Sequence, residues 1–213
     1  NTRLMLVANP NNPTGTYNSF KEVKELMESV PDTVLVIVDE AYKEYVRKED
    51  YKSAACLLEK HKNLLVLGTF SKAFGLAGLR IGYGFGDPEL LQTLHKVRSP
   101  FNTSLVAQEA CIAALDDREF VKQSVELNYA EMEYLEKELS SLGLKYTPSV
   151  CNFILVDVPG SGKAFFEALL REGVIVRPMA MSGFPGSIRV TICKREGNKR
   201  FIEATKKVLK SLK

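Results

Sequence analysis

The stretch Val34-Leu35-Val36-Ile37-Val38-Asp39-Glu40-Ala41-Tyr42 changes from apolar to polar at residue 39. A continuous, mostly β-branched run such as residues 34–38 is typical of a strand that is buried on both faces of a parallel sheet. Asp39 then stands at the carboxyl end of this strand, which is where open α/β sheets bind their ligands. The stretch therefore predicts an α/β fold and indicates where a site should be sought.

The same change from apolar to polar occurs at two other places along the chain. Residues 4–7 lead into Asn9-Pro10-Asn11-Asn12-Pro13-Thr14-Gly15, and residues 64–67 lead into Thr69-Phe70-Ser71-Lys72. Between the first two strands, Asn18 or Ser19 can cap a helix that extends to Ser29. Strands that alternate with helices predict a mostly parallel sheet with flanking helices.

A fourth strand is predicted from Arg80 to Phe85. The link to it from Thr69 is too short for a helical crossover, which takes a dozen residues or more. We therefore expect the fourth strand to run antiparallel to the third.

The second half of the chain predicts a smaller α/β domain. Helices over 87–97 and 103–115 precede a long charged helix over 119–142, which ends at Gly143. Beyond it, the pattern predicts strands at 153–158, 174–177 and 187–192 and helices at 161–172 and 196–212. The predicted domains are therefore residues 1–118 and residues 119–213.

The composition is that of a soluble globular protein, with 45% hydrophobic and 26% charged residues in a chain of 213. Basic and acidic residues are interleaved and the formal net charge is +3, so nucleic acid is not predicted as a partner. No apolar run approaches the roughly 20 residues that span a bilayer. The four cysteines form no CxxC pair and there are two histidines, which predicts a reducing cytoplasmic location and no metal site.

Lys72 is the residue on which the functional hypothesis depends. It follows an apolar strand and Ser71, and residues 73–79 after it are small or apolar. Burial disfavours the ammonium form and lowers the pKa of a lysine, and a neutral amine can attack an aldehyde to form a Schiff base. The alternative is a solvated surface lysine.

Asp39 and Arg80 would place opposite charges near these strand ends. A carboxylate after a wholly apolar strand is costly unless it is paired, and a protonated pyridine nitrogen is a suitable partner. Asp39 could instead cap a helix. The planar guanidinium of Arg80 suits a phosphate group, although an exposed arginine at a strand end is the simpler alternative.

Four further side chains could complete such a site. Ser71 and Thr69 could add hydroxyl donors to a phosphate, and Asn12 and Tyr42 could donate to a ring oxygen. The alternatives are a turn-forming role for Asn12 and a core position for Tyr42.

In this order, residues 9–15, 39–42 and 71–80 resemble the motifs of the fold-type I, class II aminotransferases, which use pyridoxal 5'-phosphate. The resemblance covers the whole chain. It implies that residues 1–118 are the C-terminal portion of the large cofactor-binding domain and that residues 119–213 are the small domain. It also implies a homodimer that acts on small-molecule amino and keto substrates.

The resemblance assigns a role to each candidate residue. Lys72 would carry the cofactor as a Schiff base and then act as the base for a proton shift, and Asp39 would pair with the pyridine nitrogen. Arg189 matches the arginine that binds the acidic group of the substrate, with a strand-surface arginine as the alternative. The remaining cofactor contacts would be Asn12 and Tyr42 to the ring oxygen, and Thr69, Ser71 and Arg80 to the phosphate.

Within that family, residues 39–45, 98–102, 152–155 and 176–178 are similar to the histidinol-phosphate aminotransferases. Those enzymes transfer an amino group between glutamate and imidazole-acetol phosphate in histidine biosynthesis. Arg177 and Arg189 would then bind the substrate phosphate or the glutamate carboxylate, in an order that the sequence does not assign.

Three alternatives remain open at this point. The chain could belong to an aromatic or branched-chain aminotransferase, to an amino-acid-phosphate decarboxylase, or to a non-catalytic sensor module that keeps the motifs. In this family a phosphate-binding helix N-terminus, an aromatic residue that stacks on the ring, and a tyrosine from the partner subunit come from a segment upstream of Asn1. We therefore expect weak or absent activity from this chain alone.

Overall fold

Four strands form the first sheet of the computed structural model, which describes residues 1–211. They lie in the order β1 (Leu4–Ala8), β2 (Leu35–Asp39), β3 (Leu64–Thr69) and β4 (Gly82–Gly86). The first three strands are parallel, and β4 is antiparallel to β3, which confirms the predicted direction. The strand begins at Gly82 and not at Arg80, because Arg80 has a positive φ of 54° at the end of a short 3-10 turn.

Helix α1 (Phe20–Ser29) begins where the sequence predicts it. The Ser19 side chain accepts from the Glu22 amide while the Glu22 side chain accepts from the Ser19 amide, so both free donors at this helix start are satisfied. Val23 and Met27 of α1 pack in one buried cluster with Val36 and Val38 of β2. Burying these side chains on both sides of the contact fixes the helix against the sheet.

Two more helices follow the first sheet, α2 (Pro88–Val97) and α3 (Leu105–Asp116). Asp87 and Ser104 cap them, each through a side-chain oxygen that accepts a backbone N–H. The long predicted helix is confirmed as α4 (Arg118–Ser141), and Gly143, at a φ of 71°, follows it.

The second sheet is antiparallel and lies under two helices of the C-terminal half. Its strands have the order β5 (Tyr146–Thr147), β6 (Phe153–Asp157), β8 (Phe184–Thr191) and β7 (Arg177–Met179). The buried cluster beside it is formed by residues of α4, the sheet, and the last two helices, including Leu135, Ile188 and Phe201. The elements are β5 (Tyr146–Thr147), β6 (Phe153–Asp157), α5 (Gly162–Arg171), β7 (Arg177–Met179), β8 (Phe184–Thr191) and α6 (Arg195–Ser211).

The strand predicted at 174–177 is present, but its predicted bounds are wrong, since β7 comprises Arg177–Met179. Gly173 turns the chain with a φ of 73°, and the Val174 amide donates to the Leu169 carbonyl at 3.0 Å. The Val174 N–H therefore completes the end of α5 and cannot join a strand ladder. Strand β8 starts three residues earlier than predicted, and the predicted end of the last helix at Leu212 lies outside the described residues.

The chain divides into two compact units. The first comprises Asn1–Asn11 and Tyr17–Gln123, and the second comprises Asn12–Thr16 and Ser124–Lys213. Within the range 1–211, no helix has both the length and the apolar character that crossing a membrane requires.

A buried carboxylate joins α4 to α6 in the second unit. Glu131 is 4% exposed, and it accepts from Arg195 Nε at 2.9 and 3.1 Å and from Asn198 Nδ2 at 2.8 Å. Asn198 also bonds both the amide and the carbonyl of Cys193. The carboxylate therefore holds the turn between β8 and α6 as well as the two helices.

We expect Glu131→Ala to lower the free energy of unfolding by about 3 kcal/mol, because it leaves Asn198 and the guanidinium of Arg195 without their buried acceptor. Glu138→Ala is the matched control, since Glu138 joins the same two helices through an exposed ion pair with Lys206 at 3.3 Å. That substitution should cost less than about 1 kcal/mol. Urea denaturation checks both values, and equal losses would contradict the role given to Glu131.

Candidate active site

Asp39 and Tyr42 lie at the carboxyl end of the central parallel strand. Asp39 is opposite Ala8 of β1 and Leu67 of β3, and its Oδ1 accepts from the Ala41 amide at 3.0 Å. Asp39 is half-buried and Tyr42 is only 6% exposed. The strand end therefore presents one carboxylate in a largely buried setting, with its orientation fixed by the main chain.

Lys72 lies in the loop that follows the neighbouring strand, β3. Its Nζ is 5.3 Å from the centroid of the Tyr42 ring, a cation–π distance. The loop is fixed by its own backbone bonds, from the Gly75 amide to the Lys72 carbonyl at 2.9 Å and from the Leu76 amide to the Phe70 carbonyl at 3.0 Å. Since β2 and β3 are parallel neighbours, the two strands bring Asp39, Tyr42 and Lys72 to the same edge of the sheet.

The three residues predicted to bind the phosphate, Thr69, Ser71 and Arg80, lie shortly before and after Lys72 in the chain. Thr69 Oγ1 accepts from the Ser71 amide at 3.0 Å and is 3.5 Å from the Ile81 carbonyl. Arg80 is exposed, and its Nη1 donates to the Ala77 carbonyl at 2.8 Å. Thr69 thus ends β3 and bonds Ser71 just beyond it, while Arg80 is held by its own 3-10 turn.

Asn12 and Arg189 are in direct contact within the second unit. Arg189 Nη1 donates to Asn12 Oδ1 at 2.6 Å, and the guanidinium carbon lies 5.0 Å from the centroid of the Phe153 ring. The Nε of Arg189 is buried and has no partner among residues 1–211. A buried donor without an acceptor is costly, so this nitrogen is available to an oxygen of a ligand.

Arg177 lies opposite Arg189 in the register of β7 and β8. Two like charges directly opposite each other destabilise an antiparallel pair. Arg177 is exposed and Arg189 is half-buried. An anion bound to both guanidinium groups would remove this repulsion, and their forked donors match a carboxylate or a phosphate.

Glu40 was not singled out by the sequence, yet it is the most buried carboxylate of the strand ends, at 1% exposed. It accepts from Ser53 Oγ and from the Ala54 amide, both at 2.6 Å, and Lys43 Nζ lies 4.0 Å from it. Burial raises the pKa of the Glu40 carboxyl, although the bonds from Ser53 and Ala54 oppose the rise. In the sequence, the feature that could have identified Glu40 is the pair of acidic residues Asp39-Glu40 directly after an apolar strand.

Lys43 connects the end of β2 to the antiparallel strand. Its Nζ is 5.3 Å from the centroid of the Tyr83 ring on β4. Burial acts to lower the pKa of Lys43, but Tyr83, Glu40 and Glu44 outweigh it and the pKa is raised. Lys43 is therefore held in its charged form, unlike the neutral amine that a nucleophile requires.

Cys151 is fully buried in the second unit and bears a thiol with little reactivity. Burial raises its pKa to about 12, against a smaller opposing effect of Arg189. A thiol with such a pKa is protonated at neutral pH and is a poor nucleophile.

The residues of the first unit fit the needs of pyridoxal phosphate. That cofactor requires an amine for its aldehyde, an acid for its pyridine nitrogen and donors for its phosphate. Lys72, Asp39 and the hydroxyls of Thr69 and Ser71 are of these three types, and all stand at the carboxyl ends of β2 and β3. The chemistry of this donor set is the observation that favours the cofactor.

Comparison with known proteins gives the same family for the whole chain. The chain matches the model of the family Aminotransferase class I and II over residues 1–204. It is 45% identical over 212 residues to histidinol-phosphate aminotransferase 1 of Nitrosococcus oceani, covering 100% of this chain and 57% of that protein. It is 46% identical over 209 residues to histidinol-phosphate aminotransferase of Geobacillus sp., covering 98% and 57%.

A solved structure gives the same result for the fold. Histidinol-phosphate aminotransferase from Sinorhizobium meliloti, in complex with pyridoxal-5'-phosphate, matches with a TM-score of 0.90 at 28% identity, covering 99% of this chain and 58% of that one. The chain thus spans 57% of the length of the two relatives above. With a family model that matches residues 1–204, this chain belongs to the class I and II aminotransferase family.

Proposed function

We propose that this chain is part of a pyridoxal-phosphate-dependent transaminase. The observation that carries the proposal is the placement of Lys72 beside the buried Tyr42, on the strand next to the one that ends in Asp39. An amine and a carboxylate fixed at one sheet edge are what the cofactor needs for covalent attachment and for a protonated ring nitrogen.

Lys72 has two tasks in this proposal. Its Nζ would hold the cofactor covalently, and the same amine would take the proton from the substrate α-carbon. The bound cofactor supplies the electron sink that makes this proton acidic. The Tyr42 ring keeps the amine in place between these events.

The other cofactor contacts follow from residue chemistry. The carboxylate of Asp39 holds a proton on the pyridine nitrogen through a charge-assisted hydrogen bond. Tyr42 and Asn12 donate to the ring oxygen. Thr69, Ser71 and Arg80 donate to the phosphate, and Arg80 must first release the Ala77 carbonyl.

Arg189 and Arg177 bind the acidic groups of the substrates. Their opposed positions on β8 and β7, together with the unpartnered Nε of Arg189, favour an anionic ligand. We propose that Arg189 binds a carboxylate and that Arg177, which is more exposed, binds a phosphate.

We propose histidinol phosphate and glutamate as the amino donors, with imidazole-acetol phosphate and 2-oxoglutarate as their keto partners. The support is that both relatives above, at 45% and 46% identity, carry the name histidinol-phosphate aminotransferase. Assays of histidinol phosphate, phenylalanine and threonine phosphate test this assignment, and a clear preference for either of the last two would replace it.

We further propose that the enzyme is a cytoplasmic homodimer in which residues 1–118 belong to the cofactor-binding domain and residues 119–213 form the small domain. Exposed apolar side chains of the first unit, such as Phe101, Leu105 and Val106, favour a surface that is covered in the assembled enzyme. Because the chain spans 57% of its relatives, we propose that full activity needs the rest of their length.

We expect borohydride reduction in the presence of pyridoxal phosphate to label Lys72, because the attachment is covalent through this amine. Lys72→Ala should remove the label and the visible absorbance of the cofactor, as peptide mapping and spectroscopy will show. Lys43→Ala is the matched control, since Lys43 lies at the same sheet edge but is held charged by Glu40 and Tyr83. Labelling that persists in the Lys72 variant would contradict the proposal.

We expect Arg189→Ala to raise the KM for glutamate by roughly tenfold to a hundredfold, the value of a hydrogen bond between charged groups, with a smaller change in kcat. Steady-state kinetics of the enzyme extended to the length of its relatives give both parameters. Arg171→Ala, at an exposed arginine in the last turn of α5, should leave them unchanged. The assignment would be wrong if both variants behaved alike.

A further inference from the structure

Asn9 is a buried polar residue at the end of β1 whose four polar groups are all bonded. It is 2% exposed. Its amide donates to the Asp39 carbonyl at 2.9 Å, and its carbonyl accepts from Tyr51 Oη at 3.2 Å. These two main-chain bonds fix Asn9 to the end of β2 and to the segment before the 3-10 turn Ala54–Leu57.

The side chain of Asn9 is bonded to one residue only, Asn18. Oδ1 of Asn9 accepts from the Asn18 amide at 2.8 Å, and Nδ2 donates to the Asn18 carbonyl at 3.1 Å. The carboxamide thus bonds both main-chain groups of Asn18, as a residue on a neighbouring antiparallel strand would. Asn18 immediately precedes Ser19, the cap of α1.

This pair closes the base of the loop formed by residues 10–17. The chain leaves β1 just before Asn9 and comes back into contact with Asn9 at Asn18, and the loop between them contains Asn12. A loop whose two ends are bonded to each other has fewer conformations than one with free ends. Asn9 therefore limits the positions that Asn12 can adopt.

We propose that Asn9 is a positioning residue that acts through Asn12, an inference that rests on the proposed function in so far as Asn12 donates to the cofactor ring oxygen. Asn9 contacts neither substrate nor cofactor in this proposal. Its carboxamide fixes the base of the loop and so restricts the conformations of the loop that carries Asn12.

Hydrogen exchange tests the closed loop without any cofactor. Asn9→Ala should speed exchange of the amides in residues 10–18 by about tenfold, because two hydrogen bonds are lost and local opening becomes easier. Exchange in β6 (Phe153–Asp157) should not change and serves as the internal reference. Asn9→Asp preserves the packing and one acceptor but places an oxygen against the Asn18 carbonyl, so it should also speed exchange.

Two control variants distinguish loop closure by Asn9 from effects of the Asn18 side chain and of the cap of α1. Asn18→Ala should be neutral, since Asn18 enters the pair through its main chain. Ser19→Ala removes the capping box of α1 and leaves the Asn9 bonds in place, so it should speed exchange at the start of the helix and not in residues 10–17. Wild-type protection of the loop in both Asn9 variants would overturn the closed loop.

The visible absorbance of bound pyridoxal phosphate tests whether Asn9 acts through Asn12. Loss of a donor to the ring oxygen should move the pH midpoint of the absorbance change upward by roughly half a unit or more. Asn9→Ala and Asn12→Ala should each produce such a shift, and the double variant should shift no further than Asn12→Ala alone. A purely structural Asn9 would give no shift or an additive one, and either result would overturn the positioning role.

Hydrogen exchange and cofactor absorbance distinguish a failure of the proposed function from a failure of the inference about Asn9. If the wild-type enzyme, extended to the length of its relatives, binds no pyridoxal phosphate, the proposed function is wrong and the exchange data still decide whether Asn9 closes the loop. If the cofactor binds and the Asn9 variants match the wild type in both readouts, the proposed function stands and the inference about Asn9 is wrong.

Discussion

The parallel pairing of β2 between β1 and β3 is the constraint on which the site of the first unit depends. The register sets Ala8, Asp39 and Leu67 side by side, and the Asn9 and Glu40 amides extend the ladder to the Asp39 and Leu67 carbonyls. Because parallel strands end at the same edge, polar residues that are far apart in sequence meet there. The position of Lys72 depends on this alignment, since its loop begins where β3 ends.

Neighbouring carboxylates at the end of β2 have different environments for a geometric reason. Successive side chains of an extended chain point to opposite faces, so Asp39 and Glu40 cannot share one environment. Glu40 is buried against Ser53 and Ala54, and burial raises its pKa. Asp39 is half-buried and oriented by the Ala41 amide. One acid is thus buried among hydrogen-bond donors, while the other is partly exposed at the carboxyl end of β2.

In the second unit, two arginines of neighbouring strands lie directly opposite each other, and such a pair of like charges destabilises a sheet. Arg177 and Arg189 oppose each other in the ladder, Phe153 supports one guanidinium, and a buried Nε has no partner in the part of the chain that the structure describes. Arg195 of the same unit, in contrast, is paired with Glu131. The unit thus contains one arginine paired with a carboxylate and another, Arg189, whose Nε has no partner among residues 1–211.

Local patterns in the sequence determined the three parallel strands, the antiparallel fourth, the caps of α1 to α3 and the polar strand ends with Lys72 and Asp39, because each depends on residues close along the chain. Only the tertiary structure revealed the Asn9 pair with Asn18, the bonds of Glu40 and Glu131, and the late start of β7. The contact of Arg189 with Asn12 spans 177 positions. Partners so distant leave no periodic signal, since the folded chain alone brings them within hydrogen-bond range.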